Sequence, residues 1–183
     1  MSAPARAKNS TATKRRILEA ATREFSAYGL AGGRVDRIAE AANSNKAMIY
    51  RYFGSKDRLF DAVFDAVVVS TVDAVPFMVG DLPGYASALF EQHRHTPDIL
   101  RIATWDRLER DSAGHRLPTV VAATEAKVAS IRAAQGAGTV TSLYSPDAVL
   151  RIVLALSQPP LSGLGDEQGG EHIADAVGAA LGI

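Results

Sequence analysis

Val35-Asp36-Arg37-Ile38-Ala39-Glu40-Ala41-Ala42-Asn43-Ser44-Asn45-Lys46-Ala47-Met48-Ile49-Tyr50-Arg51-Tyr52-Phe53 decides how the chain is read. Val35, Ile38, Ala39 and Ala42 fall at i, i+3, i+4 and i+7, which puts four apolar groups on one helical face and Asp36, Arg37, Glu40 and Ala41 on the other. A second short run, 46–53, turns Ile49 and Phe53 inward but cannot bury Lys46, Tyr50, Arg51 and Tyr52 together. Only Asn43-Ser44-Asn45 separates the runs, so the connection is a tight turn. Asn43 tolerates a left-handed backbone, and Asn45 can cap the second helix by accepting from its free N–H groups. The pattern predicts helix, turn, helix.

The outward side chains of the second helix set what it can bind. Lysine and arginine neutralise phosphate, tyrosine hydroxyls bond to phosphate oxygens, and a helix N-terminus adds partial positive charge. A helix carrying these groups fits the major groove of double-stranded DNA.

Further residues carry the same message. The set Ile17-Leu18-Glu19-Ala20-Ala21, Phe25, Gly29, Ile38-Ala39, Ile49-Tyr50-Arg51-Tyr52-Phe53 and Ser55-Lys56-Asp57-Arg58-Leu59 resembles the N-terminal domain of the TetR family of bacterial transcriptional regulators. The likeness spans residues 13–64, about a third of the chain, and several spaced motifs are more specific than a lone helix-turn-helix. It implies an all-α protein, with a three-helix DNA-binding domain joined by a long helix to a helical ligand-binding and dimerisation domain. It also implies DNA contact by Lys46, Ala47, Met48, Tyr50, Tyr52 and Lys56, with Tyr50 and Lys56 as phosphate anchors.

Some positions depart from the family pattern. Members usually carry Thr or Ser at about Arg34 and Val35, as a helix cap and phosphate ligand. Here Gly33 is the weaker cap expected, and Arg34 offers phosphate a charge instead. The turn glycine is replaced by Asn43. Met48 stands where a small polar residue is usual and offers apolar contact to a thymine methyl. A carboxylate at Asp36 is repelled by phosphate unless it accepts from a cytosine amine, and a helix N-terminal charge is the favoured reading of it.

Composition agrees. A chain of 183 residues with 47% apolar content holds one reading module and one larger helical body. The absence of cysteine excludes disulfides and thiolate metal sites and fits a reducing cytoplasm. No apolar run reaches membrane-spanning length and the start lacks a signal-peptide core, so a soluble cytoplasmic protein without a membrane partner is expected. Net charge is zero but unevenly spread: residues 1–60 carry 12 Lys and Arg against 5 Asp and Glu, and the remainder 8 against 15. One end seeks polyanions.

In chain order, residues 1–12 read as a disordered basic tail, 13–54 as the DNA-binding domain and 55–183 as the effector-binding and dimerisation domain. Thr13 caps a first helix whose inner face is Ile17, Ala21, Phe25 and Tyr28 and which Gly29 ends. Ser55 caps a long helix to about residue 74, with Leu59, Phe60, Val63, Phe64 and Val67 inside; it links head and body and is the expected coupling element. Further helices are predicted over 83–95, 97–110, 118–135, 146–157 and 167–181, with a glycine-rich surface loop over 162–170.

The 146–157 helix is apolar nearly all round and the last helix carries an apolar stripe with small residues; covering both points to a homodimer through them, with burial inside one subunit as the alternative. Phe77, Met78, Tyr85, Phe90, His93, Trp105 and Leu108 are the candidate lining of a pocket for an unknown small-molecule effector, although each also fits ordinary core packing. His93 and His95 point to different sides of a helix, and no metal or other cofactor is expected. No nucleophile and base pair, phosphate loop or paired carboxylate marks an enzyme. The function expected is a ligand-responsive regulator, a repressor in sign, acting as a homodimer on a palindromic operator. The alternative is a small-molecule-binding helical protein whose head has lost sequence-specific DNA binding, an idea motivated by the missing cap and by Asp36.

Overall fold

The computed structural model describes residues 3–159 and 169–182, the side chains of 3–9 excepted. Among the described residues the elements are all helical. In chain order they are α1 (Ala3–Gly32), α2 (Val35–Ala41), α3 (Lys46–Phe53), α4 (Lys56–Ala74), α5 (Leu82–His95), α6 (Asp98–Arg110), a 3₁₀ turn (Ala113–Arg116), α7 (Pro118–Gly136), α8 (Pro146–Leu156) and α9 (Gly169–Leu181). None of these helices is long and apolar enough to cross a membrane.

The chain forms two compact units, and their membership differs from the division expected after residue 54. The first unit takes the residues up to Val68 together with Asp98–Leu117; the second takes Val69–Pro97 and the residues from Pro118 onward. Helix α6, expected in the body, thus belongs with the DNA-reading helices.

In the first unit Ile17, Ala21 and Phe25 of α1, Val35 and Ile38 of α2, Ile49 of α3, Leu59, Phe60, Val63 and Phe64 of α4 and Ile102 of α6 are all buried. The rings of Phe25 and Phe60 meet at 5.2 Å between centroids. Two short helices of 7 and 8 residues cannot stand alone, so their geometry comes from this shared core. Tyr28 departs from the inner face predicted for α1. It is 52% exposed, and the Arg37 guanidinium covers its ring at 4.4 Å.

The tail expected to be disordered is helical from Ala3, and α1 runs through Thr13 instead of being capped there. Ala3, Ala5, Ala7 and Ala12 are strong helix formers, and Pro4 sits in the first turn, where proline is tolerated. Gly29 does interrupt α1 where the sequence places the end: its φ of 69° is a left-handed value, and the last turn to Gly32 follows beyond the kink.

The second unit is built on one apolar cluster. Leu82, Tyr85, Ala86 and Leu89 of α5 pack with Val128 and Ile131 of α7, Val149, Leu150 and Val153 of α8, and Val177 and Leu181 of α9. Asp81 starts α5 by accepting from the Gly84 N–H at 2.8 Å, one residue earlier than the proline had suggested. Ser145 does the same for α8. The start expected for the last helix at residue 167 and most of the loop expected over 162–170 lie outside the described residues.

Candidate nucleic-acid interface

The turn between α2 and α3 is made as its residues require. Asn43 adopts φ 45°, its N–H donates to the Glu40 carbonyl, and the Ser44 N–H donates to Ala39. Asn45 is the extended N-cap of α3, its side-chain oxygen accepting from the Met48 N–H at 2.8 Å. Ile49, 1% exposed, anchors the helix from below. This leaves Lys46, Ala47, Tyr50 and Arg51 exposed, with Met48 and Tyr52 partly covered. Tyr52 is held at its ring face by Lys14 of α1, 5.8 Å away, and at its edge by Phe53. Part of its surface therefore serves packing within the head.

The entry to α2 is held by a residue that sequence reading missed. Gly33 is not the cap: Arg34 is, in extended conformation and without a side-chain cap bond. A Cβ on Gly33 would lie 2.7 Å from the Phe25 ring and 2.8 Å from the Gly29 carbonyl, so close packing explains this glycine. The cap is replaced by Glu24, buried on α1, which accepts from the Arg34 N–H at 2.7 Å and from the Arg37 guanidinium. Burial pushes the Glu24 carboxyl up, but the Arg37 and Arg34 hydrogen bonds more than reverse this, leaving it below the ordinary carboxylate value. Arg37 is raised in turn, chiefly by its bond to Glu24. The Arg34 side chain itself stays exposed and available.

Asp36 stands in the first turn of α2, as its favoured reading as a helix N-terminal charge has it. It also accepts from the Lys46 ammonium of α3, at 2.8 Å. That hydrogen bond and the carboxylate charge hold Lys46 above its ordinary pKa. Ser55 accepts from the Arg58 N–H as expected of a cap. Lys56 donates to the Ala31 carbonyl at 3.2 Å, so this phosphate-anchor candidate is positioned against the α1 to α2 link.

That link is gripped from the other side by α6. The Glu109 carboxylate accepts from the N–H groups of Leu30 and Ala31 at 2.6 and 3.0 Å. Trp105 donates its indole N–H to the Ser26 carbonyl, and Ser26 donates its hydroxyl to Asp98. Asp98, Ile102, Trp105 and Glu109 are spaced i, i+4, i+7 and i+11, one helical stripe of mixed polarity.

The residues proposed to line an effector pocket are not brought together. Trp105 and Leu108 belong to the first unit, where Trp105 lies against Gly29 and Leu108 is 68% exposed. In the second unit Phe77 and Tyr85 meet edge to face at 5.0 Å, Phe90 packs by Gly169, and Met78 is 61% exposed. His93 is buried, its Nδ1 3.0 Å from the Ser157 carbonyl, and burial depresses its pKa against that hydrogen bond. His95 instead faces solvent, with Nδ1 by the Glu91 carbonyl. Among the described residues no group of three His, Cys, Asp or Glu is arranged to hold a metal. An open cavity of about 450 Å³ lies elsewhere in the second unit, lined by Thr124, Glu125, Val128, Ala129, Arg132 and Asp147, none of them foreseen.

A capped recognition helix with a basic, tyrosine-bearing outer side, set on a two-asparagine turn, defines a helix-turn-helix DNA-binding protein. Residues 17–63 match the family model described as bacterial regulatory proteins, tetR family, and residues 81–172, where no motif was legible, match the tetracyclin repressor-like C-terminal domain. The chain is 36% identical over 151 residues to the HTH-type transcriptional repressor SCO4008 of Streptomyces coelicolor, covering 80% of this chain and 78% of that one. It is 30% identical over 149 residues to the HTH-type transcriptional repressor NicS of Pseudomonas putida, covering 78% and 70%. The crystal structure of SCO4942, also from Streptomyces coelicolor, superposes with a TM-score of 0.79 at 30% identity, over 92% of this chain and 97% of that one. The chain belongs to the TetR family, and is a DNA-binding transcriptional regulator and not an enzyme.

Proposed function

We propose that the protein is a ligand-responsive repressor that binds a palindromic operator as a homodimer. The observation that carries this is the outer side of α3, where Lys46, Ala47, Tyr50 and Arg51 are exposed around a helix start fixed by Asn45. Lys46, Ala47 and Met48 face base edges; Tyr50, Lys56 and Arg34 hold phosphates, and Tyr52 and Asn45 position the helix against them. Two copies related by a twofold axis place two such helices in successive major grooves, about 34 Å apart. Repression is supported by the names of the two relatives, both transcriptional repressors.

The dimer forms through α8 and α9. Their buried sides join the body cluster, while Leu154, Ala155, Ala176 and Ala179 remain exposed and Ile152, Ile173 and Ala180 only partly covered. Small residues on α9 allow close helix approach, and a twofold pairing would cover both helices at once. An effector held in the body, with Phe77, Tyr85, Phe90 and His93 as the retained lining candidates, lowers operator affinity if it binds a DNA-incompetent state more tightly.

Fluorescence anisotropy with duplexes from the protein's own promoter region tests the reading. Saturable binding at two chains per duplex is expected, with at least a tenfold loss on combining Tyr50→Ala and Lys56→Ala, in line with two lost phosphate contacts. Equal affinity for every duplex, abolished by salt, would instead favour a helical small-molecule binder whose head no longer selects sequence.

A further inference from the structure

Two positive charges of the α2–α3 head, Arg37 and Lys46, are held in different ways. Arg37 is bound to a buried carboxylate, Glu24, which also accepts from the backbone. Lys46 is bound to Asp36, and there both side chains are exposed, 50% and 74%. The first pair is fixed by desolvation, since separating it would strand a charge. An exposed pair like the second is held by a factor of about five at most, and salt weakens it. Lys46 is therefore restrained but exchangeable.

We propose that Asp36 is a specificity-determining residue: it withholds Lys46 from the phosphates of arbitrary duplex and so lowers sequence-independent binding more than operator binding. The inference rests on the operator-binding reading above. On a non-cognate duplex a phosphate competes with Asp36 for the Lys46 ammonium, and the carboxylate beside it faces a polyanion. On a sequence with a suitably placed G·C pair, neither penalty applies. Guanine presents O6 and N7 acceptors to the ammonium, and the cytosine amine of the same pair donates to the carboxylate. Donor and acceptor held 2.8 Å apart match that donor and acceptor display, so the ion pair is used intact. The effect is discrimination gained by weakening the wrong complexes.

The test compares the full-length protein with Asp36→Asn on two duplexes of equal length and composition, one from the promoter region and one scrambled, at salt concentrations from about 50 to 200 mM. Asn keeps the size of the side chain and removes the charge. For the scrambled duplex, binding by Asp36→Asn is expected to be roughly threefold tighter at low salt, and the slope of log K against log salt steeper by about 0.9, one phosphate contact. Promoter binding gains less or weakens, so the ratio of the two affinities falls. In a Lys46→Ala background, Asp36→Asn should leave the slope unchanged, which ties the effect to the pair. An unchanged slope and ratio, or equal tightening on both duplexes, overturns the proposal while leaving operator binding standing. Wild-type protein that binds neither duplex overturns the operator reading and this proposal with it.

Discussion

The two units are held together by different forces. In the first, carboxylates, with Glu24 and Asp106 buried and Glu109 exposed, point at backbone N–H groups and guanidinium groups: Glu24 at Arg34 and Arg37, Glu109 at the turn after Gly29, Asp106 at Gly114 and Arg110. In the second, the described core is an apolar cluster shared by α5, α7, α8 and α9, and the buried polar side chains among its neighbours are His93 and Ser157. Apolar burial is non-directional and tolerates small shifts, whereas a hydrogen bond loses most of its strength with poor geometry. The reading head needs α2 and α3 set at one angle, and its 7- and 8-residue helices bury little surface with which to set it. Directional bonds supply the angle that packing alone would leave loose.

The contrast predicts two kinds of response to small core changes. Asp106 is fully buried; it accepts from the Gly114 N–H with both oxygens, at 3.1 and 2.9 Å, and from Arg110 at 3.1 Å. Asp106→Asn keeps the shape but turns an amide N–H₂ toward a group that also donates. It leaves Arg110 with Asp61 as its remaining carboxylate. A loss of about 3 kcal/mol is expected, in the range for breaking one side of a buried pair. Ile131→Val, at an equally buried position of the second unit, removes one methylene and should cost about 1 kcal/mol. Urea unfolding of the two variants checks the difference. Similar losses would break the comparison, since the head would then be no more geometry-bound than the body.

Acid separates the units more gently. Burial favours neutral His93, so its folded pKa lies below the ordinary 6.5 and the unfolded chain binds more protons between those values. The contribution of His93 is complete above pH 6.5 and is lost as pH falls toward the folded value, at no more than about 1.4 kcal/mol per pH unit. Glu24 is also depressed, from 4.5, so its contribution is complete above that value and is lost only as pH falls through the folded pKa. Stability measured from pH 7 to 5 should therefore decline through His93 before Glu24 responds, and His93→Gln should flatten that part of the curve. A decline unaffected by His93→Gln would assign the early loss to other groups.

The same contrast explains how much of the fold and the site is legible in the sequence. Apolar periodicity was enough for the helices and most of the head core: Ile17, Phe25, Ile38, Ile49 and Phe60 are buried where the spacing puts them. Turn chemistry was enough for Asn43 and Asn45, because each has a local reason to be there. The carboxylate contacts were not legible, since an acid on a helix normally reads as solvent-facing. Glu24 sits seven residues after Ile17 and three after Ala21, an acid inside an apolar stripe, and that is the signal that could have exposed it. Asp98, Trp105 and Glu109 share a stripe with buried Ile102, which similarly marks α6 as a helix that packs by polar groups. The pocket lining was a grouping by residue type, and residue type does not fix which unit a helix joins. Trp105 went to the head for the sake of Ser26.

The smallest effect tests whether the DNA-reading side is positioned by local bonds at all. Asn45 closes the N-terminus of α3 through a single side-chain acceptor, 2.8 Å from the Met48 N–H, and its own side chain is solvent-exposed. Asn45→Ala removes that acceptor, and water can replace it, so the loss of stability should be about 1 kcal/mol. Promoter affinity should fall by more than this stability change implies, because fraying of the first turn displaces Lys46, Ala47 and Met48 together. Asn45→Ser or Asn45→Asp, which restore an acceptor, should recover the stability, whereas Asp adds a negative charge beside phosphate and should not recover the affinity. Parallel recovery of both properties by Asp would mean that capping acts only on stability, and that α3 is aimed by the core beneath Ile49 alone.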